Sequence, residues 1–210
     1  MMKIVAGPLD EVQIESAGAM LAAAFHDDPL QMYVFPDAQQ RTQRSPGQFS
    51  VLVRQGSLFG AVFVGERMSG VSVWMPPGSE MSGEQVTRSG FRQLPDLMGA
   101  ESFERFGRVL DYLSSVHLVP GSHWYLVAVG VRPELRGRGL GRELMRPIMT
   151  RADAAGVPIC LDTARPEARA FYDRLGFRTA RESVDPGSGL RFWTCVRDPP
   201  IANKSSPEAA

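Results

Sequence analysis

Arg136-Gly137-Arg138-Gly139-Leu140-Gly141 decides how this chain is read: an apolar, strand-like run lies before it and a helix-like run after it. Three glycines in five residues, flanked by Arg136, Arg138 and Arg142, describe backbone that approaches something anionic very closely. Glycine tolerates positive φ and leaves no side chain on the contact surface. A helix starting here aims unpaired N–H groups and the positive end of its dipole at the same spot. The candidate ligand is a pyrophosphate.

Two common glycine-rich motifs fail on spacing. Gly137-x-Gly139 is followed by Arg142 where a dinucleotide fingerprint needs its third small residue, and the loop lies too late in the chain to open such a fold. The Gly-Lys-Ser/Thr ending of a phosphate-binding P-loop is missing. On the loop alone, a glycine-rich turn with solvated arginines stays open.

Working outward, the continuous apolar run Trp124 to Val131 predicts a strand buried on both faces. Leu140, Leu144 and Ile148 predict a helix to about Ala155, capped by Gly156 and kinked at Pro147. Pro158 to Asp162 reads as a strand, Pro166 to Leu175 as a helix closed by Gly176, and Phe177–Val184 with Leu190–Val196 as a hairpin. Upstream, Val12, Ile14, Ala17, Leu21 and Ala24 predict a helix over residues 10–25, which His26-Asp27-Asp28-Pro29 stops. An aromatic loop holding Tyr33 and Phe35 follows, then a helical stretch over 38–58 around Pro46. Lys3–Ala6, Ala61–Val64 and Gly70–Met75 read as strands. Residues 79–119 form a helical insertion, long for a connection between strands and therefore a candidate cover for a site. We expect one domain over residues 1–197 and a disordered tail over 198–210, which carries three prolines among small and polar residues.

The chain has 210 residues, 43% of them hydrophobic, so it can bury a normal core. Its 23 basic and 23 acidic residues cancel, which argues against a nucleic-acid partner. No apolar run is long enough to cross a membrane, and the N-terminus lacks a signal-peptide pattern. Cys160 and Cys195, without paired spacing, read as buried free thiols of a cytoplasmic protein. No spacing suggests a metal site.

Arg136-x-x-Gly139-x-Gly141, following Val131-Arg132-Pro133, resembles the acetyl-CoA signature of the GNAT superfamily of N-acetyltransferases. Leu161-Asp162-Thr163 and Phe171-Tyr172-Asp173-Arg174-Leu175-Gly176-Phe177 resemble the same superfamily. The closest resemblance is to the puromycin N-acetyltransferase type. It runs from Trp124 to about Arg197, through Val129-Gly130-Val131, Pro147 and Ala155-Gly156-Val157-Pro158, with a fainter echo at Ala22–Phe25 beside Asp28-Pro29. Residues 26–120 are only loosely similar.

The resemblance implies an α/β GNAT fold: a mixed, mostly antiparallel sheet splayed into a V, with helices on both faces. It implies acetyl-CoA as co-substrate, with Val129 and Val131 pairing its pantetheine and N–H groups from Gly137 to Arg142, through Gly139 and Gly141, cradling its pyrophosphate. Arg136, Arg138 and Arg142 would add charge. Gly130 suits a strand bulge. Tyr172 falls on the superfamily's general-acid position for the departing thiolate; its alternative is packing the helix onto the sheet. Ala168 stands where family members often carry Asn. Asp162 could orient or deprotonate the amine, or simply bond backbone at a strand end. His123 and the pair Asp27 and Asp28 are weaker candidates for handling a cationic amine, and His26 and His117 show no partner. Tyr33, Phe35 and Trp74 are candidate walls of an acceptor pocket, or core.

The reaction implied is direct transfer of acetyl to the primary amine of an antibiotic- or metabolite-like small molecule. A catalytically silent acyl-CoA sensor and a peptide or protein N-acetyltransferase remain the alternatives. Sequence does not separate monomer from homodimer.

Overall fold

Asp10 opens the first helix by a reciprocal cap: its carboxylate accepts from the Gln13 N–H at 2.8 Å, while Gln13 Oε1 accepts from the Asp10 N–H at 3.0 Å. The computed structural model describes residues 4–79, 82–116 and 121–200. Helix α1 (Glu11–Ala24) buries Ile14, Ala17 and Leu21, whereas Val12, periodic with them, is 74% exposed. Pro29 does not lead into a loop, as expected, but begins a short helix α2 (Pro29–Val34). A proline that bars the helix behind it also has the φ that suits a first helical position, and Asp28 caps it by accepting from the Leu30 N–H at 2.9 Å. Helix α3 (Ala38–Phe59) continues through Pro46.

Strands β1 (Ile4–Ala6), β2 (Ala61–Gly65), β3 (Gly70–Met75), β4 (Trp124–Val131), β5 (Ile159–Thr163), β6 (Arg178–Val184) and β7 (Arg191–Arg197) form one sheet in the order β1-β2-β3-β4-β5-β7-β6. Every neighbouring pair is antiparallel except β4 and β5. Those two run parallel and pair only at Trp124 with Ile159 and Tyr125 with Cys160. Beyond that point they diverge, and the sheet forks. This is the expected α/β GNAT architecture.

Helices α1 and α3 cover one face, closing a core of Ile14, Leu21, Phe49, Val53, Val71 and Ala128. Helices α7 (Leu140–Ala155) and α8 (Pro166–Asp173) cover the other, around Trp124, Leu126, Leu144, Ile148, Leu161 and Trp193. Helix α7 passes through Pro147 as one helix and ends at Gly156, whose φ is 66°. Between β3 and β4 lie α4 (Gly83–Ser89), α5 (Leu94–Met98) and α6 (Ala100–Val116). Helix α5 packs on α3, and α6 packs on α2, placing Val109 in a small core with Ala164 and Phe192. Phe35 and Trp74, candidate pocket walls in the sequence, are both fully buried core residues. The Trp74 Nε1–H donates to Ser72 Oγ at 3.0 Å, and Ser72 donates onward to the Leu144 carbonyl at 2.9 Å.

Strand β4 departs from expectation in two ways. It is not buried on both faces: even-numbered positions are buried and odd ones half-buried. Its bulge lies at Val127, not Gly130. Val73 opposes Ala128 and Trp74 opposes Leu126, which leaves Val127 as the extra residue. Gly130 serves a different purpose, because a Cβ there would sit 2.9 Å from Leu21 Cδ2 and 3.0 Å from Ala24 Cβ. Its missing side chain lets α1 lie on the strand.

Among the described residues no helix is long and apolar enough to cross a membrane. Cys160 and Cys195 are buried and free. The expected tail falls mostly on residues 201–210, and His117 within 117–120; both lie outside the described residues.

Candidate active site

The fork between β4 and β5 holds a cavity of about 600 Å³. Val129, Gly130 and Val131 line one wall. Thr163, Arg165, Ala168, Phe171 and Tyr172 line the other, and the loop from Leu135 to Arg142 closes one end. Ala24, Phe25 and Asp28, where α1 ends and α2 begins, complete it. Among the described residues β4 has no strand partner on this side beyond Tyr125, so its edge is free to pair with an extended ligand.

The loop is built as its glycines require. Arg132 anchors it, donating its N–H to Ser69 O at 3.0 Å and Nε to Met68 O at 2.9 Å. Gly137 and Gly139 then adopt φ of 77° and 78°, the left-handed region that side chains other than glycine rarely enter. Gly139 is the N-cap of α7, and no side chain caps that end. The first hydrogen bond into the helix runs from Glu143 N–H to Gly139 O, 3.2 Å, so the N–H groups ahead of it are left for a ligand. Gly141 lies against the Phe171 ring, which a Cβ would meet at 3.2 Å.

The arginines divide. Arg136 lines the cavity but donates Nη2 to the Ala24 carbonyl at 2.8 Å, so it also ties the loop to the end of α1. Arg142 lines the cavity, whereas Arg138 is exposed and outside the lining. Arg165 and Arg174 line it too, and sequence reasoning passed over both. Their signal was available: one immediately precedes the helix-starting Pro166 and the other lies within the Phe171–Phe177 motif.

Tyr172 is 8% exposed, and its phenol has no hydrogen-bond partner among the described residues. Burial holds its pKa well above that of a free tyrosine, with the nearby Cys195 and Asp28 adding to the shift. Ala168 lies on the wall one turn earlier and offers no polar contact.

Asp162 is placed differently. It lies outside the cavity lining, and both carboxylate oxygens are engaged. Tyr125 donates its hydroxyl to Oδ2 at 3.0 Å, and Thr194 donates to Oδ1 at 2.5 Å. Burial and the Asp162 charge push the Tyr125 phenol far up in pKa. This clamp lies at the crotch of the fork, since Tyr125 is the last residue of β4 paired to β5.

The remaining candidates separate by burial. Asp27 has an 84% exposed side chain hydrogen-bonded to His26 Nδ1 at 2.9 Å, whereas Asp28 is 6% exposed and lines the cavity. His26 Nε2 lies 3.3 Å from Thr42 Oγ1. His123 contacts the Gly121 carbonyl at 3.1 Å, outside the lining. Tyr33 packs among the helices rather than on the cavity, and no described residue of the insertion lines it. Among the described residues no group of three metal-ligating side chains comes together.

Known proteins of similar sequence and shape agree with this geometry. Residues 21–177 match the model of the acetyltransferase (GNAT) family. An uncharacterized N-acetyltransferase of Schizosaccharomyces pombe is 31% identical over 172 residues, covering 78% of this chain and 70% of the relative. A solved histone acetyltransferase and related acetyltransferase from Corynebacterium glutamicum superposes with a TM-score of 0.68, at 19% identity, over 96% of this chain and 98% of its own. An agmatine N-acetyltransferase gives a TM-score of 0.63 at 19% identity over 93% of this chain and 99% of its own. With a forked sheet, an uncapped glycine-rich helix start and a family match across both, this chain belongs to the GNAT acetyltransferase family and is an acyltransferase.

Proposed function

We propose that the protein transfers acetyl from acetyl-CoA to the primary amine of a small molecule by direct attack. The observation that carries this reading is the cavity in the fork. At one end are the free N–H groups at the start of α7 with Arg142, suited to a pyrophosphate. Along its side is the unpaired edge of β4 at Val129 and Val131, suited to pantetheine amides. Beside that edge is the unpartnered phenol of Tyr172.

The chemistry follows from these positions. The amine nitrogen attacks the thioester carbonyl carbon, forming the C–N bond, and the C–S bond then breaks. A β4 N–H would polarise the carbonyl oxygen as charge builds there. Tyr172 gives its proton to the departing thiolate and is reprotonated from the amine's excess protons. A phenol kept neutral by burial is suited to that task, since it holds its proton until negative charge develops on sulfur. Asp162, with both oxygens engaged, holds the fork's geometry through Tyr125 and Thr194.

Family resemblance to the puromycin-acetylating type rests on residues 124–197 and names no acceptor. Two relatives in shape point in different directions, one toward agmatine and the other toward histone. We take the small amine as the acceptor because the α1–α2 junction, through Ala24, Phe25 and the carboxylate of Asp28, lies on the same cavity as Tyr172 and offers a compact site for a cationic group. A competition assay decides between them. We expect mass spectrometry to find acetyl on small primary amines and none on histone-tail or free-N-terminus peptides supplied at equal concentration. Preferential peptide acetylation would reverse the reading.

A further inference from the structure

Arg165 stands on the cavity wall without a strong partner. Its side chain is 33% exposed, and its ion pair is a 3.9 Å contact with Glu167, whose own side chain is 75% exposed. A pair so long and so open to water contributes little. Among the described residues the guanidinium makes no hydrogen bond, although it carries five N–H donors. A substrate entering the cavity drives water off those donors, and donors left unmatched then cost free energy.

The arginines of the lining sort by their position along α8. The Phe171 ring lies against Gly141, which fixes the second half of α8 beside the pyrophosphate cradle. Arg142 follows Gly141 directly and Arg174 lies three residues beyond Phe171, so both belong to that end. Arg165 lies six residues before Phe171, about 9 Å back along the helix axis. Its charge is felt at the α1–α2 junction instead. Burial raises the Asp28 pKa, while the Leu30 N–H and then the Arg165 charge oppose the rise. The same charge reaches Asp27, behind His26 and Arg41. Apart from the exposed Glu167, this end of the cavity presents one charge of each sign, Asp28 on the junction and Arg165 before α8. CoA phosphates have the cradle and its arginines, and a pantetheine thioester carries no charge for Arg165 to match.

We infer that Arg165 determines specificity by pairing with a carboxylate on the acceptor, so that the amine acetylated belongs to an amino-acid-like molecule. This rests on the acetyltransferase reading above and narrows its substrate class. The planar fork of a guanidinium meets both oxygens of a carboxylate at once. An acceptor with that group satisfies the donors as water leaves. An amine of the same length without it strands them. Gain for one acceptor and penalty for the other act together, which makes a site of this kind discriminate sharply. Arg165 binds and moves no proton, so its effect belongs in KM rather than kcat.

The test compares acceptors in matched pairs, each an amino acid and the amine left when its carboxylate is removed. The pairs are phenylalanine with phenethylamine, β-alanine with ethylamine, and 4-aminobutyrate with propylamine. In at least one pair the wild-type protein should favour the carboxylate member by about 10- to 10²-fold in kcat/KM, chiefly through KM. Arg165→Met, which keeps the length and removes the charge, should bring that ratio to about one. Arg165→Lys should restore part of it, and CoA affinity by calorimetry should stay within about twofold in both variants. A ratio that Arg165→Met leaves unmoved, with both members of the pair slowed alike, assigns the residue to structure and overturns the inference. A CoA affinity that falls with the substitution assigns it to the cofactor and does the same. Wild-type preference for the carboxylate-free member of every pair overturns the inference while leaving the acetyltransferase reading intact. A wild-type protein that acetylates none of the six overturns both.

Discussion

Tyr172 and Asp28 are held at a cost, and each cost is measurable. Tyr172→Phe removes one oxygen from a buried ring that packs edge-on against Phe171 and Phe177, so the fold should survive it. We expect CoA affinity within about twofold of wild type and turnover lower by about 10²-fold, the usual contribution of a general acid. Equal turnover in single-turnover thiol release would remove Tyr172 from the chemistry. Asp28 offers a stability test of opposite sign. Its pKa is raised by burial, so the folded state holds its proton more tightly than the unfolded chain does. Such a group destabilises the fold at neutral pH, and that penalty disappears as pH falls through the folded-state value. Asp28→Asn should therefore melt no lower than wild type at neutral pH, with any gain fading as the pH is lowered. A melting temperature clearly below wild type at neutral pH would show that the carboxylate has a structural partner.

At the scale of elements, β4 positions the site, and Gly130 shows how. Replacing Gly130 with Ala would bring a methyl to 2.9 Å from Leu21 Cδ2 and 3.0 Å from Ala24 Cβ, so Leu21 must re-orient and α1 must give by a few tenths of an ångström. Overpacking of this kind costs about 1–3 kcal/mol, readable from denaturant unfolding. Because Arg136 bonds the Ala24 carbonyl, the same shift should also loosen the glycine loop and weaken CoA binding. The sequence revealed β4 as a strand and Gly130 as special, but not why. A glycine in a strand is compatible with a bulge or with close approach by another element, and only packing distinguishes them. The bulge at Val127 left no mark in composition, since valine suits any strand position. Helix α2 was hidden for a related reason: Asp28-Pro29 signals the end of one helix and the start of the next equally well. By contrast, the Gly137–Gly141 loop, the helices after it and the final hairpin were legible, because positive φ and helix capping restrict residue choice severely. Asp27 and Asp28 were indistinguishable in sequence, and burial alone separates them.

For the whole molecule, function depends on a sheet that fails to close. Two pairs of residues join β4 to β5, and beyond them β4 meets the cavity at Val129, Gly130 and Val131. A ligand completing that gap should stabilise the fold strongly. At 100 times its dissociation constant, CoA should add about 2.7 kcal/mol, seen as a concentration-dependent rise in melting temperature. Gly139→Val would put a branched side chain at φ of 78°, at the N-cap that leaves its N–H groups free. We expect that variant to fold with little or no CoA-dependent rise; a full rise would show that the loop is not the cradle. The most direct measurement of the account is CoA thiol release when purified protein, acetyl-CoA and a panel of cationic primary amines are combined. The account predicts amine-dependent release matched one to one by acetylated amine. Tight CoA binding with no amine-dependent release anywhere in the panel would contradict it, leaving a protein that holds the cofactor and does no chemistry.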